Sequence, residues 1–163
     1  MNKTTKKIIR YKVNGIDTET AVDIRASLTD ILRNECCLTS VKKGCEVGEC
    51  GACNVIINGE CFNSCIYLAV WADGKEITTT EGLISADGEL SAIQQAFIDE
   101  GAVQCGFCTP GFLMSAQCII NSGIDYSDEE LRKRLSGHLC RCTGYENIFK
   151  SVRKLTAKKP TRS

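Results

Sequence analysis

The chain has 163 residues, 43% hydrophobic, 25% charged and 6% aromatic, with formal net charge zero. That composition is too apolar and too weakly charged for a disordered chain, and the length suits one domain or two small ones. No apolar run approaches the roughly 18 residues of a membrane span, and no basic stripe with interleaved aromatics points to nucleic acid.

The first twelve residues hold five basic side chains (Lys3, Lys6, Lys7, Arg10, Lys12) and no acid, which reads as a solvated tail. No apolar core of a leader peptide follows, so the chain is expected to be soluble and cytoplasmic. Residues 8–22 read as a hairpin turning at Asn14-Gly15, a type I′ signal. Ser27 caps a helix carrying Leu28, Ile31 and Leu32, with Asp30 at the capping-box position, to about Glu35. Residues 41–53 are rich in glycine and cysteine and should be irregular. Val55-Ile56-Ile57 is a short buried strand, and Asn58-Gly59 turns it toward Cys61-Phe62. Cys65 to Val70 is apolar, and Glu76 to Thr80 is β-branched enough for a strand.

Helical spacing begins past residue 85, with Ser85–Glu89 as the connection. Ile93, Ala96, Phe97 and Ile98 share one helix. Thr109-Pro110 reads as an N-cap with proline behind it, opening a helix through Phe112, Leu113, Ala116, Ile119 and Ile120. Ser127 and Glu130 form a capping box for a third, ending near Leu135. Tyr145, Ile148, Phe149, Val152 and Leu155 mark a fourth. Residues 150–163 carry six basic side chains and no acid, a second expected tail, so residues 13–149 balance at −11.

Twelve cysteines stand beside a single histidine. In a reducing compartment that argues for metal or redox chemistry rather than disulfides. Cys45, Cys50, Cys53 and Cys65 have the spacing C-x4-C-x2-C-x11-C, whose first three match the plant-type [2Fe–2S] run. Gly44, Gly48 and Gly51 let the loop turn sharply and bring backbone N–H groups to the sulfurs. Cys61 competes with Cys65 for the fourth position; Cys65 ranks first. Cys105, Cys108, Cys140 and Cys142 form C-x2-C-x31-C-x-C at helix termini, where thiolates are favoured. That spacing alone would serve tetrahedral zinc equally well. Cys36, Cys37 and Cys118 have no ligand spacing and read as small buried hydrophobes. His138, lacking a second histidine for a Rieske site, reads as a surface group or a support to the ligands. There is no catalytic triad, dinucleotide fingerprint or P-loop. The chain is expected to carry electrons and leave bond-making to partners.

These motifs resemble the molybdenum hydroxylases. Gly44–Cys53 looks like that family's first cluster loop, Ala102–Gly111 and Leu139–Tyr145 like its second cluster site, and Thr78–Leu83 like the segment joining its two domains. The separate small chain is similar to the family's iron–sulfur subunit, and Cys65–Lys75 looks most like the xanthine dehydrogenase branch. The resemblance implies an α+β chain: an N-terminal β-grasp plant-type ferredoxin domain (1–84), then a C-terminal four-helix-bundle [2Fe–2S] domain (85–163) with a basic tail. It implies two [2Fe–2S] clusters here, a large molybdopterin-binding subunit and a medium FAD-binding subunit in a hetero-oligomer. Gln104 and the Cys142 sulfur would lie beside the pterin, and the first cluster would face the flavin. In such enzymes a purine or other heterocycle is hydroxylated with oxygen from water, and the electrons reach FAD and then NAD⁺ or another acceptor. Choosing xanthine over nicotinate, an aldehyde, carbon monoxide or an aromatic acyl-CoA rests on likeness alone. His138 departs from the family, where asparagine is common.

Overall fold

The structure, a computed structural model, describes residues 5–156. Strands β1 (Lys6–Val13) and β2 (Ile16–Asp23) form the expected hairpin, with Val13 opposite Ile16 across Asn14-Gly15. Both turn residues have positive φ, 50° and 81°, which asparagine and glycine tolerate. The basic residues of this segment are therefore not in a tail. Ile9, Tyr11 and Val13 alternate inward into the core, which fixes the strand. Lys7 then meets Asp73 at 3.0 Å and Arg10 meets Glu19 at 2.6 Å. Lys3 lies outside the described residues.

Helix α1 (Leu28–Asn34) is capped by Ser27, whose Oγ accepts the Asp30 N–H at 3.1 Å. Strands β3 (Asn54–Ile57), β4 (Glu60–Asn63) and β5 (Glu76–Thr78) complete a five-stranded sheet in the order β2-β1-β5-β3-β4. Among the described residues only β1 and β5 pair in parallel. The expected strand at 76–80 stops at Thr78. Beyond it the Thr79 N–H goes to Asn14 Oδ1 at 2.8 Å, and a 3₁₀ turn runs from Thr80 to Leu83. The apolar run from Cys65 ends in another 3₁₀ turn, Ala69–Ala72. Leu28, Leu32, Val55, Ile57, Ile77 and the inward face of β1 form one core.

Helices α2 (Ala92–Asp99), α3 (Thr109–Asn121), α4 (Asp128–Leu135) and α5 (Glu146–Thr156) surround a second core of Ile93, Phe97, Phe112, Leu131, Ile148 and Val152. α5 packs on α2, α3 and α4. α3 begins one residue earlier than expected: Cys108, not Thr109, is the N-cap. Lys150, Arg153 and Lys154 sit on α5 rather than in a tail, and Arg153 reaches Asp128 at 3.1 Å. Lys158, Lys159 and Arg162 lie outside the described residues. Among those residues no helix is long and apolar enough to cross a membrane.

α3 packs on β3 and β4, so the second core is laid against the sheet. That explains the apolar triplet of β3. Val55 and Ile57 face the first core, while Ile56 is also buried, on the opposite side of the strand.

Candidate iron–sulfur sites

The loop from Cys45 to Cys53 is a succession of turns. Glu46, Gly48 and Gly51 have φ of 57°, 84° and 68°. This winding aims the N–H groups of Val47, Glu49 and Cys50 at Cys45 Sγ, at 3.5, 3.3 and 3.4 Å. Those donors, Val47 first, hold the Cys45 thiol down to about 6, so it is a thiolate near neutrality. A Cβ on Gly44 would come within 2.8 Å of Cys50 Sγ. Glycine there leaves room for the sulfur.

The loop is tied to the strand that follows. Asn63 Nδ2 donates to the Gly48 carbonyl at 2.6 Å, and Ser64 Oγ to the Cys53 carbonyl at 2.6 Å. This places Cys65 beside Cys53, with Cys45 close by. Burial first, then the Cys53 thiol, push the Cys65 thiol up to about 11. Cys61 is elsewhere. Its Sγ lies 3.4 Å from Ser115 Oγ on α3 and faces the thiol of Cys118.

The second quartet comes from the segment before α3 and the segment between α4 and α5. The Cys108 thiol faces Cys140, and the Cys142 thiol faces Cys105. Burial pushes Cys108 up to about 12, with Cys140 and Cys105 adding to it. Burial also raises Cys140, but the Thr143 hydroxyl and N–H, at 3.1 and 3.5 Å, outweigh it and bring this thiol down to about 7. Tyr145 Oη accepts the Cys140 N–H at 2.9 Å and fixes the turn. Cys105, Cys142 and Gln104 are exposed together at this end.

Among the described residues no three His, Cys, Asp or Glu side chains converge on a single-ion position. The thiols instead meet in pairs, Cys65 beside Cys53, Cys108 facing Cys140 and Cys142 facing Cys105; the four ligands of a binuclear cluster stand outside its iron and sulfide atoms and need not converge on one point. Eight thiols in two groups, N–H donors aimed at sulfur and a glycine that clears Cys50 fit two such clusters.

His138 is buried at 4% exposure, so it is not a surface group. Its ring centroid is 4.3 Å from that of Phe112, and its Nε2 is 2.8 Å from Ser115 Oγ. Ser115 also accepts from Asn54 Nδ2 at 3.0 Å. Nearby, the Leu139 N–H donates to the Cys50 carbonyl at 3.1 Å, so the two cysteine loops touch through their backbones. Sequence reasoning missed this Ser115 hub and the pairing of Cys61 with Cys118. The sequence shows only that Ser115 and Cys118 are one turn apart on α3; that they face Cys61 depends on the packing of α3 on β4.

Burial lowers His138 to about 4, so it is neutral at pH 7. The unfolded chain takes a proton below about 6.5 while the folded chain refuses it until about 4. Stability is thus held above pH 6.5 and lost as pH falls toward 4. Between pH 7 and 5 the loss is about 2 kcal/mol, or about 4–8 °C in melting midpoint. His138→Asn should lack that component. Melting both proteins at pH 7 and pH 5 checks this; parallel shifts would refute it.

Two family models match the chain: a 2Fe-2S iron-sulfur cluster binding domain over residues 11–81 and a [2Fe-2S] binding domain over residues 79–153. The nicotinate dehydrogenase small FeS subunit of Eubacterium barkeri is 46% identical, over 94% of this chain and 95% of its own. The xanthine dehydrogenase iron-sulfur-binding subunit of Escherichia coli O157:H7 is 44% identical, over 93% and 96%. Among solved structures, quinoline 2-oxidoreductase from Pseudomonas putida 86 superposes with TM-score 0.88 at 41% identity, covering 93% of each chain. With both domain models matched in order and full-length relatives at this identity, the chain belongs to the iron–sulfur subunits of the molybdenum hydroxylase family.

Proposed function

We propose that this chain is the electron-carrying subunit of a cytoplasmic molybdenum hydroxylase most like xanthine dehydrogenase. Cys45, Cys50, Cys53 and Cys65 would hold one [2Fe–2S] cluster, and Cys105, Cys108, Cys140 and Cys142 the other. The observation that carries this is the gathering of eight thiols into two groups whose loops touch at Leu139 and Cys50. When bound, such clusters accept and release one electron at a time, which links a molybdopterin centre to a flavin.

The chain's own atoms support that task. Backbone N–H groups at Cys45 and the Thr143 hydroxyl at Cys140 steady negative charge on the sulfurs. Exposed Val47 and Ile66 border the first loop and offer an apolar rim to the medium, FAD-binding subunit. Gln104 and Cys142, both exposed, face outward where the pterin of the large subunit would dock. The division into residues 1–84 and 85–163 is supported by the two separate cores and by the meeting of the two family models near residue 80.

The substrate pocket would lie on another chain. Relatives named for xanthine, nicotinate and quinoline all handle nitrogen heterocycles, so that class is proposed, with xanthine first. Anaerobic purification through a tag on this chain should bring a molybdenum-containing chain and a flavin chain. It should give about four iron and four labile sulfide per copy, with two distinct paramagnetic signals on reduction. Zinc without labile sulfide would overturn the reading. Reduction of the complex by nicotinate but not xanthine would overturn only the choice of substrate.

A further inference from the structure

Cys61 and Cys118 belong to neither quartet, yet they stand together. Cys61 lies on β4 and Cys118 on α3, which packs across it. Cys61 Sγ is 3.4 Å from Ser115 Oγ, one helical turn before Cys118. Cys118 Sγ is 3.7 Å from the carbonyl of Gly59, two residues before Cys61. The two side chains thus approach each other from both directions across the seam between sheet and helix. Both are half-buried, beside the exposed Asn58-Gly59 turn. Their intermediate exposure leaves both partly open to solvent.

We infer that Cys61 and Cys118 are an oxidisable dithiol that closes to a disulfide and staples β4 to α3. This goes beyond the electron-carrying role, because neither thiol is assigned to a cluster.

The two sulfurs are not equivalent. The Cys118 thiol first, then Ser115 and Asn54, outweigh burial and bring Cys61 down to about 7. Cys118 is pushed well up, first by its neighbour Cys61 and then by burial. Cys61 is therefore the attacking thiolate and Cys118 the resolving thiol. The oxidant is a low-molecular-weight disulfide such as glutathione disulfide. Cys61 attacks one of its sulfurs, the S–S bond breaks, and one glutathione thiolate leaves. Cys118 then attacks the Cys61 sulfur, its proton passes to the second departing thiolate, and the internal bond forms. Two protein thiols are oxidised by two electrons, one glutathione disulfide is reduced, and two glutathione thiols are released.

The consequence is mechanical. Ser115 also holds His138, two residues before Cys140, and Asn54, one residue after Cys53. A bond at this seam therefore locks the helix that spans both cysteine loops. It also closes a long loop of the unfolded chain, so the oxidised protein should melt about 5–10 °C higher.

The test uses the full, cluster-loaded chain under argon. After incubation with glutathione disulfide, alkylation and digestion, one cross-linked peptide pair should join Cys61 to Cys118. The intact mass should fall by two hydrogens, and the visible absorption of the clusters should be unchanged. Cys118→Ser should instead keep one glutathione on residue 61, and Cys61→Ser should form no cross-link. A bond joining any other cysteines would overturn the inference. So would a stable glutathione adduct on the unaltered protein, or full retention of both thiols. The unaltered protein decides the matter by itself, whatever a variant does to folding.

Discussion

Cys50→Ser should halve the iron content and remove one of the two paramagnetic signals, leaving the other unchanged. A serine hydroxyl is far less acidic than a thiol and a harder, poorer ligand for iron in a sulfur site, so it is a weak substitute for a thiolate among four ligands. The loss should spread into the sheet. The loop around Cys50 is fastened to Asn63 and Ser64, and through Ser64 to Thr29 on α1 at 2.6 Å. Metal binding is coupled to folding in a loop of this kind, with few apolar contacts of its own. The β-rich half should therefore melt before the helical half, whereas the parent protein should melt in one transition. Cys65→Ser should behave the same way, because Cys65 stands beside Cys53. Cys61→Ser and Cys118→Ser should keep full iron. Iron analysis and electron paramagnetic resonance on all four variants provide the check. Equal iron loss in Cys61→Ser and Cys65→Ser would show the ligand assignment to be wrong.

Asn14-Gly15 and Asn58-Gly59 announce two hairpins because their turns need two successive residues at positive φ, and few residue types accept that. Ser127 and Glu130 announce α4 because their reciprocal bonds, 2.9 and 3.3 Å, are local. The quartets were legible as spacings because thiolate chemistry is rare and short loops are constrained. The parallel pairing of β1 with β5 was not legible, since nothing within either strand names a distant partner. The end of β5 at Thr78 was hidden for the same reason: Asn14, far away in sequence, takes the next N–H. Charge alone makes the basic ends resemble tails; the inward alternation of Ile9, Tyr11 and Val13 is what makes the first of them a strand. The neighbours of His138 in sequence do not report its burial, which depends on Phe112 and Ser115 of α3. The Cys61–Cys118 pairing also needed the packing of α3 on β4.

Gly111→Ala is the sharpest probe of how the two halves fit. Gly111 lies in the first turn of α3, where alanine would ordinarily be preferred by about 1 kcal/mol. On helix propensity alone the substitution should stabilise. The structure reverses that expectation. A Cβ at Gly111 would collide with the Gly51 carbonyl oxygen and come within 3.1 Å of the Ala52 Cα. Both are backbone atoms of the first cysteine loop, so no rotamer change relieves the clash. The loop cannot retreat freely either, because Cys50 is bonded to Leu139 and Cys53 to Ser64. Overpacking of this kind costs about 1–3 kcal/mol or more, which exceeds the propensity gain. With both neighbours backbone atoms the cost lies toward the upper end, so we expect a net loss of about 1–2 kcal/mol, a fall of about 2–8 °C in melting midpoint. The spin coupling between the two reduced centres should also change, because the displaced loop moves Cys50 and Cys53 relative to Cys108 and Cys140. Gly123→Ala is the control. Its φ of 64° imposes local strain, but nothing lies within 4 Å of the added methyl. It should lower the midpoint modestly and leave the coupling unaltered. A Gly111→Ala protein as stable as its parent, with the same coupling, would mean that the loop and the helix do not touch as described.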